Sequence, residues 1–154
     1  MTRGNGQMAD PNQLRGVDLR VVKAPEITFV NHQAPNTTFR LTFQYKHNLH
    51  YPSPNVARAD LTVIAENAED KEHFHLSVTE TGVFACPEGM SRETIHVETF
   101  KALFPYVRAL VSGLTALAGI PPIMIPAVVV NEENVVKIEF RPPRPETPTD
   151  GKES

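Results

Sequence analysis

The sequence predicts an α+β fold, in which a four-stranded antiparallel sheet is followed by one long helix and an extended crossover. Three observations carry this. Four successive segments before Cys86 alternate apolar and polar residues. After Gly89 the apolar spacing changes to the helical period of about 3.6. An uncharged run between Arg108 and Glu132 is then broken by Gly119, Pro121 and Pro122.

The first strand is expected over residues 17–31. Val17, Leu19 and Val21 alternate with Asp18, Arg20 and Val22, and Ile27 and Phe29 resume the pattern after Pro25. Proline there implies an edge strand or a bulge. The second spans 39–46, with Phe39, Leu41, Phe43 and Tyr45 on one face. Residues 47–55 contain Pro52 and Pro54 and read as an exposed loop. The third spans 56–66, with Ala57, Ala59, Leu61, Val63 and Ala65 inward. The fourth spans 71–84, with Phe74, Leu76 and Val78 inward. Residues 67–70 between them read as a hairpin link.

A long helix begins near Glu93 or Thr94. Its apolar face carries Phe100, Leu103, Phe104, Val107, Leu110, Val111, Leu114, Leu117 and Ala118. Pro105 either kinks it or opens a second helix in its first turn. Gly119 suits the C-terminal cap. Residues 120–130 follow as an apolar crossover, and 131–140 fit a short helix or a strand equally well. The helix has more apolar surface than one sheet face covers. The run over 103–126 is therefore a subunit interface, a site for apolar ligand segments, or both.

The chain has 154 residues and is expected to form one domain over 15–140, with disordered tails at 1–14 and 141–154. A net charge of −3 gives no basic patch for nucleic acid. The single cysteine, Cys86, forms no internal disulfide and fits the cytoplasm. No signal-type apolar stretch opens the sequence. The neutral run is interrupted too early for a membrane span of about 20 residues.

Little here points to catalysis. His73 and His75 stand two apart on one strand face, but no further ligand follows at a metal-site spacing. Cys86 with His96 would make a nucleophile and base, yet a cysteine beside Pro87 at a strand end reads as structural. Glu66, Glu69, Asp70 and Glu72 surround a hairpin tip and read as a solvated cluster, or as a docking surface. No phosphate loop or paired-carboxylate site is present. No cofactor, metal or catalytic residue is assigned.

Several segments, taken in order, resemble the SecB family of export chaperones. Strand order followed by a long helix is one. Leu103-Phe104-Pro105-Tyr106-Val107-Arg108 resembles the family's FPYAR segment. Gly119-Ile120-Pro121-Pro122 and Ile123-Met124-Ile125-Pro126 resemble its crossover. Val78 to Phe84 (VTETGVF) resembles its VxxxGIF, and Ala34-Pro35-Asn36 also fits. The likeness covers about residues 17–127.

The resemblance implies a homotetramer built as a dimer of dimers, with the long helices between two sheets. It implies an ATP-independent holdase that binds non-native or precursor polypeptides in apolar grooves. Phe84, Phe104, Val107, Leu110, Ile120, Ile123, Met124 and Ile125 are the candidate groove residues. Phe100, Leu103, Val111, Leu114 and Leu117 are the candidate interface. Methionine and branched aliphatics suit a promiscuous surface, and the prolines limit the ordering cost and remove strand donors. Export members deliver clients to the motor SecA, docked by acidic residues on the outer sheet face. Glu26 matches the first of these, while Val30 and Ser77 stand where others are acidic. Residues 127–140 also replace the family's VNFxxLY-like continuation and second helix with valines and acids. These departures favour a dedicated chaperone of one partner, such as an antitoxin, over general export. A small enzyme or ligand-binding domain whose helix closes a dimer is a further alternative.

Overall fold

The computed structural model describes residues 14–34 and 36–126. The expected tails, most of the crossover's second half and the ambiguous stretch 131–140 lie outside the described residues. The elements are β1 (Asp18–Asn31), β2 (Leu41–Ser53), β3 (Val56–Asn67), β4 (Phe74–Ala85) and α1 (Arg92–Leu117). The sheet is antiparallel in the order β1-β4-β3-β2, so β1 joins the far side of a β2-β3-β4 meander. The connection from β1 to β2 must therefore pass the end of the β3–β4 hairpin. Two backbone bonds fix it there, from His32 N–H to His73 O (2.7 Å) and from Ala68 N–H to Arg40 O (2.8 Å).

The inner faces of β3 and β4 carry Ala57, Ala59, Leu61, Val63 and Ala65, and Phe74, Leu76, Val78 and Phe84, all fully buried. The period-two pattern predicts this face because alternate side chains share one side of a strand. α1 lies on these two central strands. Contact is close at Gly82, where a Cβ would stand 3.0 Å from Leu103 Cδ2 on α1 and 2.9 Å from Phe84 Cε1 on the same strand.

Three expectations are corrected. β2 does not stop at Lys46. His47 pairs with Leu61 and Leu49 with Ala59, so alternation continues to a tight turn at Pro54-Asn55. Pro52 is tolerated because β2 is an edge strand and the register shifts between His50 and Ser53. β4 begins at Phe74 rather than Lys71, because residues 68–73 form a wider turn. In β1 the register shifts between Leu19 and Val21, which turns Val21 to the outer face opposite Val83 and Val22 to the inner face opposite Gly82. The second shift, between Lys23 and Glu26, is the bulge that Pro25 implies.

α1 is one continuous helix through Pro105. Its N-cap is Ser91, whose Oγ accepts the Thr94 N–H at 3.1 Å. Its end is a Schellman motif. Gly119, at φ +85°, sends its N–H to Ala116 O (3.1 Å), and Ile120 reaches back to Thr115 O (3.2 Å). Only a left-handed residue closes the helix this way, which accounts for glycine at 119. Among the described residues no helix is long and apolar enough to cross a membrane.

Candidate functional site: an uncharged groove at the sheet end

After Gly119 the chain turns back along α1. A buried threonine directs it. Thr115 Oγ1 donates to Val111 O (2.9 Å) and Ser112 O (3.1 Å), and accepts the Ile123 N–H at 2.9 Å. This bond anchors the crossover to the helix and seats Ile125 in the core, fully buried. The crossover and the β1–β2 connection then face each other across the sheet end. Between them lies a cavity of about 880 Å³. One wall is Asn31, Gln33, Ala34, Asn36, Thr37 and Thr38. The other is Gly119, Ile120, Pro121, Pro122 and Ile123. Phe39, Leu41 and Phe74 supply the aromatic and aliphatic lining between them, with Phe39 and Phe74 rings 5.2 Å apart. A second hollow of about 590 Å³ lies on the outer side of α1, formed by Phe104, Pro105, Arg108, Ala109, Ser112, Gly113 and Met124.

Burial divides the residues expected at the groove. Ile120 and Ile123 line the large cavity, and Phe104 and Met124 the helix hollow. Leu110 is half-buried beside the core. Phe84, Val107 and Ile125 are 0 % exposed within one chain. Within one chain they lie in the core, Phe84 on β4, Val107 on α1 and Ile125 beyond it in the crossover. The expected interface divides in the same way. Phe100, Leu103 and Val111 are sealed inside the chain, whereas Leu114 is half-buried and Leu117 is 88 % exposed. A single chain thus uses most of the helix face that the sequence suggests for a partner. The large apolar side chains it leaves open are Leu117, Tyr106, Met124, Val21 on the outer face of β1 and, on its inner face, Ile27 at 44 %. Glu26 is exposed, opposite Thr79 on the outer face.

Isolated polar residues carry no period, so these groups went unnoticed in the sequence: Gln33, Asn67 and Thr115 at or beside the groove, and His47 and Thr99 buried between β2 and α1. His47 is fully buried. Thr99 Oγ1 donates to Ile95 O at 2.7 Å, so it accepts from His47 Nε2 at 3.2 Å. That places the proton on Nε2 and leaves Nδ1 without a partner among the described residues. Burial, with the nearby His96 second, lowers the His47 pKa to about 3. Desolvation likewise raises Tyr45 to about 12 and pushes Glu80 up, the latter on the inner sheet face beside Leu61.

The other candidates turn elsewhere. His73 Nδ1 meets Asp70 and His75 Nδ1 meets Glu66 at 2.9 Å, so the two rings serve different carboxylates. No metal-holding cluster occurs among the described residues. The Cys86 thiol is buried and points at Phe84 O (4.0 Å). Desolvation raises its pKa, which keeps it protonated and unreactive.

Comparison with known proteins follows the same lines. The profile of the family described as "Preprotein translocase subunit SecB" matches residues 13–132. An uncharacterised protein of Methanocaldococcus jannaschii is 31 % identical over 133 residues, 73 % of this chain and 85 % of that protein. A protein-export protein SecB of Afipia carboxidovorans is 28 % identical over 141 residues, 82 % of this chain and 83 % of its own. In fold, the chain is similar to a Mycobacterium tuberculosis SecB-like chaperone solved in complex with a ChAD peptide from the HigA1 antitoxin. The TM-score is 0.61 at 16 % identity, over 74 % of this chain and 91 % of that one. Four antiparallel strands, one long capped helix and a proline-stiffened crossover, matched over most of the chain by the family profile, make this protein a member of the SecB family.

Proposed function

We propose that this protein is an ATP-independent holdase that keeps non-native polypeptides soluble by binding extended segments of them. The observation that carries the reading is the open cavity between the crossover and the β1–β2 connection. It is lined by Phe39, Leu41, Phe74, Ile120 and Ile123, and no described segment of the chain fills it. Burying apolar area contributes about 25 cal/mol per Å², so a segment with a few apolar side chains gains affinity there without one required sequence. Membership of the SecB family supports a chaperone role.

The working form is a cytoplasmic homotetramer. Leu117, Tyr106 and Ile27, exposed on one chain, support association of copies. Between delivery to SecA and service to a single partner, the second is favoured. On the outer face Glu26 has Val30 and Ser77 as neighbours in place of acids. A similar fold is also known with an antitoxin peptide bound.

Light scattering tests the reading. The purified protein is measured alone and with a reduced, unfolded model polypeptide. A mass near four chains, a stable complex and suppressed client aggregation are expected. A monomer or dimer that ignores the unfolded chain overturns it. Affinity for SecA, measured on the same material, separates export from dedicated service.

A further inference from the structure

The two walls of the large groove differ in what they offer a peptide backbone. Among the described crossover residues that line the groove no N–H is available. Ile120 and Ile123 both bond to Thr115, and Pro121 and Pro122 have none. Donors for a guest's carbonyls must come from the opposite wall.

There one carboxamide is oriented unambiguously. Asn67 is 6 % exposed. Its Oδ1 accepts the N–H groups of Glu69 (2.9 Å) and Asp70 (3.3 Å). Its Nδ2 must therefore be the atom that faces Gln33, at 2.7 Å, and Gln33 must present Oε1 to it. The Gln33 Nε2 donors then point away from Asn67, and no described group bonds them. Gln33 lines the groove. Its backbone is fixed too, since its N–H donates to Asn31 Oδ1 at 3.1 Å. The described lining contains no ionisable side chain at all.

We infer that this groove selects uncharged, extended segments of its polypeptide partner, and that Gln33, held by Asn67, donates to a main-chain carbonyl and sets their register. The inference rests on the holdase reading. A backbone contact suits a holdase because every segment has carbonyls, so the bond orders the guest without asking for one side chain. A charged guest side chain would be desolvated here with no counter-ion, which disfavours it.

The test uses the full chain and a fluorescein-labelled, end-blocked peptide of alternating Thr, Phe, Ser and Leu, with versions carrying Lys or Glu at the polar positions. The uncharged peptide should bind most tightly, its Kd changing less than about twofold between about 0.05 M and about 0.5 M NaCl. Gln33→Glu keeps an acceptor for Asn67, removes the groove-facing donors and adds a negative charge. Gln33→Met removes them without adding charge. Each should weaken the uncharged peptide about tenfold, with the unfolding midpoint of Gln33→Glu unchanged. Unaltered binding in either variant, or tighter and salt-sensitive binding of a charged peptide, overturns the inference while the holdase reading stands. If the unaltered chain binds neither this peptide nor an unfolded polypeptide, both fall.

Discussion

The Thr115 hydroxyl and the Ile123 N–H are joined at 2.9 Å, eight residues apart, across the end of α1. Among the described residues no other polar bond ties the crossover to the helix beyond the cap. Thr115→Val keeps the shape and leaves the Ile123 N–H without its acceptor, at a cost of about 1–3 kcal/mol. Denaturant unfolding should register that loss. Hydrogen exchange at Ile123 should accelerate, and peptide affinity should fall because the groove wall loosens.

Acid should destabilise the fold through His47. Its pKa is about 3 in the folded chain, against an ordinary value of 6.5. Between those values the unfolded chain binds the extra proton and the folded chain does not, so stability rises with pH across this window. The contribution is complete above about pH 6.5 and is lost as pH falls toward 3. His47→Leu should flatten the stability profile over that range, as followed by urea unfolding at stepped pH.

Glu80 acts in the opposite sense. Burial raises its folded pKa, so the folded chain holds the proton more tightly than the unfolded chain. Stability from this group is present in acid and is lost as pH rises through the raised value. Glu80→Gln removes the charge while keeping the shape. Thermal unfolding near neutral pH should show a gain of about 1 kcal/mol, which vanishes at low pH.

Two isoleucines in the crossover should separate binding from folding. Ile123 borders the groove and is half-buried, while Ile125 is sealed in the core. Ile123→Ser should weaken client binding with a near-native unfolding midpoint. Ile125→Ser should cost about 3 kcal/mol or more in stability. Equal effects of the two on unfolding would place Ile123 in the core as well.

Gly82 marks a close approach of helix to sheet. A methyl group there meets Phe84, Leu103 and Leu19 at 2.9 to 3.0 Å. Gly82→Ala should destabilise by about 1–3 kcal/mol, measured by denaturant unfolding. A neutral result would mean that the Leu103 and Leu19 side chains move aside freely.

The strands and helix were legible because burial imposes a period on the sequence. Ala57 to Ala65 and Phe74 to Val78 alternate as the sheet requires, and Gly119 caps the helix as its chemistry allows. β2 was read too short because Pro52 and Pro54 signal a loop, while the edge position that tolerates them is a tertiary fact. The face of Val21 was misread for a similar reason, since a bulge moves every later residue without changing the local pattern. Burial of Phe100, Leu103 and Val111 within one chain could not be separated from burial against a partner, because both demand the same apolar stripe. The Asn67–Gln33 pair was invisible. Its members lie 34 positions apart, and only the passage of the β1–β2 connection across the hairpin end brings them together.

The position of β1 has a consequence for synthesis. β2, β3 and β4 form a meander of sequence neighbours, but β1 pairs with a strand whose partners lie 43 to 67 positions further on, from Asn31↔Phe74 to Asp18↔Ala85. Long-range pairing of this kind forms late, because loop closure must precede the contacts that reward it. As the chain leaves the ribosome, Ile27 and Phe29 therefore emerge with an unmatched strand edge and wait for β4. Until β4 appears, the N-terminal part of this protein is itself an extended, apolar, aggregation-prone segment of the sort its own groove would take.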